Sequence, residues 1–227
     1  GSSEYGFVQM TGDYNRNPFR INWAHNSFWG VASQSAANTW NSTVYSTVPV
    51  VQGETVFAVM KMDLDSKVAS LYINQATEGT PDAVTSVGAF GSFHSITVRT
   101  ANGGASIDDL RFGTTYADVA QLPLPPPPPG VVLAEDTFDY AAATNLDGLN
   151  GGTGWASAWA NTDSPWTATS PGLAVTDPVI ESPDNCVKTA TTSATRTATR
   201  AAVGAGTPYN SGVVYLGVLL RDDSGSS

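Results

Sequence analysis

Short apolar runs broken by turn residues recur along the first 113 positions of this chain. YGFVQM at 5–10, FRINW at 19–23, FWGVA at 28–32 and TVFAVMKMDLD at 55–65 predict strands. KVASLYIN at 67–74, FHSITVRT at 93–100 and SIDDLRFG at 106–113 continue the series, separated by clusters of Gly, Pro, Asn and Asp. In the last run, strand alternation puts Ile107, Asp109 and Arg111 on one face and Asp108, Leu110 and Phe112 on the other. A second series follows: VVLAEDTFDY at 131–140, a loop around GLNGGTGW, and TATTSATRTATRAA at 189–202, whose alternation of Thr with Ala or Arg suits an exposed strand face. The closing run, VVYLGVLLR at 213–221, is apolar on both of its period-two faces and predicts a central strand covered on both sides. A central strand needs neighbours, and none follows it, so neither series reads as a domain able to stand alone.

Between the two series lies QLPLPPPPPG at 121–130. Consecutive prolines donate no backbone hydrogen bonds and favour an extended polyproline helix. Pro123, Pro125, Pro126, Pro127, Pro128 and Pro129 therefore predict a semi-rigid linker, with about 15 Å spanned by the unbroken run. The chain divides accordingly into 1–119, the linker at 120–130, and 131–227.

Composition sharpens the class. Only 13% of the residues are charged against 41% hydrophobic, with 22 glycines, a balance of many short strands and tight turns rather than helices. The 227 residues suffice for one large β-domain. A net charge of −10 argues against a nucleic-acid partner. No apolar run approaches the roughly 20 residues that span a bilayer, so membrane insertion is not expected. Cys186 is the only cysteine; it can form no intrachain disulfide and is expected to be a buried thiol.

Candidate chemistry is sparse. Glycoside hydrolysis needs two carboxylates converging on one face, but the acidic residues are scattered, and Glu135 and Asp136 are adjacent, which sends them to opposite faces of a strand. No catalytic residues are assigned and an enzyme is not expected. Asp63 and Asp65 share a strand face and are oxygen ligands of the kind calcium takes; no other cofactor is implied. Trp23, Trp29 and Trp40, with His25 and Tyr45 nearby, would serve either as core or as an aromatic platform for sugar rings. Asn41, with Ser42 and Thr43, forms a glycosylation sequon.

Three stretches resemble the LamG-like, concanavalin A-like domains of bacterial surface and secreted proteins, including those with sorting signals of the PEP-CTERM type. They are EDTFDYAAATNLDGLNGGTGWASAW at 135–159, FAVMKMDLDSKVASLYIN at 57–74 and SIDDLRFGTTYADV at 106–119. The resemblance implies an all-β jelly-roll sandwich, with Trp155, Trp159 and Trp166 packed beneath the Gly-rich loop. In that family the first of these stretches opens the domain and the last closes it, whereas here 131–227 carries the early part and 1–119 the late part. Joining Ser227 to Gly1 gives VYLGVLLRDDSGSSGSSEYGFVQM, which resembles the family's run from one strand through a polar turn into the next. Two arrangements follow: a circularly permuted jelly roll, or a repeat completed by its neighbour. The functional expectation is a non-catalytic structural unit of an extracellular or cell-surface filament, stalk or adhesin array. Its partners would be identical subunits or repeats, joined through Val213, Val214, Tyr215, Leu216, Val218, Leu219 and Leu220. A carbohydrate-binding module with a glycan ligand is the alternative.

Overall fold

A computed structural model describes residues 5–12, 19–24, 27–36, 39–40, 43–86, 93–101, 103–120, 131–161, 165–182, 185–189, 195–202 and 209–224. The sequon asparagine Asn41, His25 and the prolines at 123 and 125–129 lie outside the described residues.

The strands of the first half are β1 (Tyr5–Gly12), β2 (Phe19–Ala24), β3 (Phe28–Ala36), β4 (Thr39–Trp40), β5 (Val44–Pro49), β6 (Thr55–Asp63), β7 (Val68–Ile73), β8 (Ala83–Ser86), β9 (Phe93–Ala101) and β10 (Ala105–Gly113). A single helical turn, α1 (Tyr116–Val119), ends this half. The second half contributes β11 (Val132–Asp136), β12 (Ala160–Asn161), β13 (Thr167–Thr169), β14 (Ala174–Thr176), β15 (Val179–Glu181), β16 (Cys186–Lys188), β17 (Arg196–Ala201) and β18 (Val213–Asp222).

The protein is an all-β sandwich of jelly-roll type. One antiparallel sheet runs β12-β17-β9-β1-β2-β3-β4, with β5 also on β3. The other runs β13-β16-β10-β18-β6-β7-β8, with β11 also on β10. Alternation gives each sheet one apolar face. Val8, Met10, Ile21, Trp23, Trp29, Val31, Ile96 and Val98 of the first sheet pack in one cluster with Ala58, Met60, Leu71, Ile107, Phe112, Val214, Leu216, Val218 and Leu220 of the second. The second sheet is buried on its other face as well. There Phe57, Val59, Tyr72, Tyr215 and Leu219 meet Tyr116 and Val119 of α1 and Leu173, Val175 and Ile180 of the small β14–β15 hairpin segment. This double cover is what the two-faced apolar pattern of 213–221 predicts.

Strand β18 has neighbours within its own chain: β6 pairs with it from Asp63 opposite Val213 to Thr55 opposite Arg221, and β10 pairs along its other edge. The neighbours precede β18 in sequence instead of following it. The described residues on either side of the proline segment lie on one sheet. Gly113 is paired with Val132, and the Thr114 amide donates to the Val131 carbonyl at 3.2 Å.

One expectation is corrected, in β10. Its register shifts between Asp108 and Arg111, and Asp109 has a φ of 47°. This bulge breaks the period of two, so Ile107, Leu110 and Phe112 all enter the core. Simple alternation had put Ile107 opposite Leu110 and Phe112.

Candidate functional site

The feature that sets this sandwich apart is the seam between residues 5–119 and 131–224, because each sheet takes strands from both. Besides the β18 ladders, β17 pairs with β9 from Arg196 opposite Thr100 to Ala201 opposite Ser95, and β16 pairs with β10. Polar side chains stitch the same seam. Ser106 Oγ donates to Asp223 Oδ2 at 2.5 Å, and Arg221 Nε donates to Asp223 Oδ1 at 2.8 Å. Lys188 Nζ lies 3.5 Å from the same carboxylate. Tyr215 donates its hydroxyl proton to Glu78 at 2.9 Å, and Lys61 donates to the other oxygen of that carboxylate. Burial alone would raise Glu78, but these two donors overcome it and hold the carboxyl below its ordinary range.

Of the residues expected to make an assembly strand, Val214, Tyr215, Leu216, Val218, Leu219 and Leu220 are buried, and only Val213 is exposed, at 36%. In this closed form they form the middle of a completed sheet, so β18 is not an open edge awaiting another copy. Gly217 in the same strand is needed for close approach, since a Cβ there would sit 2.8 Å from the Val119 carbonyl oxygen of α1.

Asp108 is fully buried at the bulge. Its carboxylate accepts from the amides of Leu173 and Asp109, each at 2.8 Å, and so pins the β14–β15 hairpin to β10 across the seam. Desolvation pushes Asp108 up to about 7, against the pull of those backbone donors. Cys186 is a buried free thiol, with Sγ 3.5 Å from the Pro171 carbonyl oxygen, and burial raises it too.

The Gly-rich opening stretch closes around a second buried centre. Asp136 and Arg200 are each 1% exposed and form an ion pair. Asp136 also accepts from Tyr140 Oη and Trp159 Nε1, both at 2.8 Å, and from the Phe138 amide at 2.9 Å. Arg200 donates to the Ser157 carbonyl at 2.9 Å and to Asn150 Oδ1 at 2.8 Å, and its guanidinium lies 5.0 Å from the Trp155 ring centroid. Gly152 and Gly154 both have positive φ and lie on β11, where a Cβ on either would come within 2.1 Å of a carbonyl oxygen. Trp159 and Trp166 are buried, and Trp155 packs against the core. Sequence reading missed Arg200. The Thr–Ala–Arg alternation fits an outward arginine as well as an inward one, and the remote Asp136 is what decides between them.

The remaining candidates fall as follows. Trp23 and Trp29 are buried, with ring centroids 5.4 Å apart, so they build the core and present no sugar platform. Trp40 belongs to β4, and its side chain lies outside the described residues. Asp63 ends β6 and its Oδ1 accepts from the amides of Asp65 and Ser66, so the pair forms a hairpin turn and does not share a strand face. Among the described residues no group of three His, Cys, Asp or Glu side chains is placed to hold a metal ion. Glu135 faces outward, 3.7 Å from Arg111, while Asp136 faces inward, so the two carboxylates diverge. No described helix is long and apolar enough to cross a membrane. No protein-family model matches the chain, and no curated protein matches it significantly.

Proposed function

We propose that this chain is a non-catalytic structural subunit or repeat of an extracellular filament, stalk or adhesin array, in which one half-sandwich completes another. The observation that carries this reading is the position of β18, which is hydrogen-bonded on both edges to strands of the first half. Only the connection at 121–130 joins the halves covalently. The seam that closes one copy is therefore also the seam that would join residues 131–224 of one copy to 5–119 of the next, with the same contacts and the same burial. The ends of β1 and β18 support it. Tyr5 pairs with Ala101, and the Asp223 amide donates to the Gly104 carbonyl at 3.0 Å. A join from the last strand of one copy to the first of another would thus pass beside a single short turn.

Light scattering on the native protein, paired with a denaturing gel, tests the proposal. Exchange between subunits gives native masses in multiples of 23.6 kDa that fall to 23.6 kDa on denaturation. A lone 23.6 kDa particle at every concentration overturns it. Mixing supplies the second arm: Leu216→Asp damages β18, and Met60→Asp damages its partner in β6. Exchanged halves restore one intact sandwich from two broken copies, and refolded mixtures that stay as unstable as either variant alone count against exchange.

A further inference from the structure

The Gly-rich loop holds reactive groups as well as packing ones. Its run Leu149–Asn150–Gly151–Gly152 places an asparagine directly before a glycine. In such a pair the following amide nitrogen can attack the side-chain carbonyl carbon and close a five-membered ring, with no Cβ to hinder it. The reaction is slow in an ordinary peptide, because an amide N–H is a poor nucleophile and a carboxamide a poor electrophile. The fold acts on both. The Gly151 amide donates to Tyr140 Oη at 3.1 Å, and Tyr140 gives its own proton to Asp136 Oδ2 at 2.8 Å, which leaves the phenol oxygen an acceptor toward Gly151. A Cβ at position 151 would stand 2.6 Å from the Tyr140 ring, so only glycine keeps this approach. From the other side Arg200 Nη2 donates to Asn150 Oδ1 at 2.8 Å, while its Nη1 pairs with Asp136. Asn150 is exposed, so water can reach it and ammonia can leave.

We infer that Asn150 and Gly151 form a self-modification site, at which the Gly151 nitrogen attacks Asn150 Cγ to give a succinimide, with Tyr140 as proton acceptor and Arg200 as oxyanion donor. The amide proton passes to Tyr140 Oη as the phenol proton moves to Asp136 Oδ2, and the carbonyl electron pair goes to Asn150 Oδ1. Negative charge thus moves from one oxygen held by Arg200 to another on the same guanidinium. Collapse of the tetrahedral carbon breaks the Cγ–Nδ2 bond, the proton returns through Tyr140, and Nδ2 leaves as ammonia. Water then opens the ring. Entry at Cγ, the carbonyl beside Arg200, gives an aspartate at position 150 on a normal backbone, and entry at the α-carbonyl gives an isoaspartyl backbone. Arg200 favours the first and then holds two carboxylates. This is one event per chain and not turnover, so it stands beside the structural reading. It is also independent of how the halves assemble, because Asp136, Tyr140, Asn150, Gly151 and Arg200 all belong to residues 131–224.

Peptide mapping by mass spectrometry tests this, following conversion of Asn150 from amide to acid in the full chain at neutral pH, folded and in urea. Ala101–Asn102–Gly103–Gly104 repeats the Asn–Gly–Gly context, so in urea the two asparagines should convert alike. In the folded chain Asn150 should convert roughly tenfold or more faster than it does in urea, with a larger share of normal aspartate over isoaspartate. Tyr140→Phe keeps the ring against Phe138 and removes the proton acceptor, and it should slow conversion roughly tenfold or more. Were Tyr140 only a clamp that immobilises the loop, the same change would speed conversion. Arg200→Met should slow it as well and shift the product toward isoaspartate, and Tyr140→Phe keeps the test decisive if Arg200→Met folds poorly. Conversion of Asn150 no faster in the folded chain than in urea, or a rate unchanged or raised by Tyr140→Phe, overturns the inference.

Discussion

Replacing Arg200 with methionine tests the account of the Gly-rich opening stretch most directly. The side chain is 1% exposed and satisfies three acceptors: Asp136, the Ser157 carbonyl and Asn150. Methionine keeps much of the length but leaves Asp136 charged and buried, still held by Tyr140, Trp159 and the Phe138 amide. Breaking a buried ion pair from one side costs about 3 to 5 kcal/mol, most of it the penalty of the stranded charge. Against a total stability of about 5 to 15 kcal/mol that is a large fraction. With a slope near 2 kcal/mol per molar, the urea midpoint should fall by about 2 M. Because Arg200 lies against Trp155 and Trp159, tryptophan emission reports the same event locally. The companion Asp136→Asn, and the double variant Arg200→Met with Asp136→Asn, complete a cycle. Removing both charges should cost less than the sum of the single losses by about 1 to 3 kcal/mol. A midpoint shift under about 0.5 M for Arg200→Met, or strict additivity in the cycle, would refute the idea that this pair locks the loop.

Three further outcomes are expected. Asp108 is raised by burial to about 7 from an ordinary carboxyl value near 4, so the folded form binds a proton that the unfolded chain releases. Its contribution is fully present below about pH 4, is lost as pH rises toward about 7 and is level above that, worth up to about 4 kcal/mol; Asp108→Asn should flatten urea midpoints across this window. Gly152→Ala should destabilise far more than Gly53→Ala in thermal melts, because both have positive φ but only at Gly152 would the Cβ strike a carbonyl, at 2.1 Å. The Gly53 change carries the left-handed backbone penalty alone, about 1 kcal/mol. Leu216→Ala, at a fully buried position of β18 opposite Met60, should cost about 2 to 5 kcal/mol in urea unfolding.

Local signals in the sequence determined the class of this protein. Period-two runs and turn clusters place β1, β2, β3, β6, β7, β9, β10, β11 and β18, because a half-buried strand must alternate whatever its partners are. The two-faced apolar run at 213–221 declared a doubly covered strand for the same reason. The short strands β12 to β16 escaped notice because two or three residues carry no period, and so did α1, a single turn whose capping box joins Thr115 and Asp118. What the sequence could not fix is what lies opposite what. Strand pairing is made by backbone groups that every residue carries, so only tertiary structure could set β18 between β10 and β6 and place Val132 beside Gly113. The bulge at Asp109 is likewise invisible to a pattern that assumes an unbroken pleat, and the inward turn of Arg200 depends on a carboxylate 64 positions away. Among the described residues Tyr45 and Phe28 are exposed aromatics while Trp23 and Trp29 are buried, since burial follows from which face meets the other sheet.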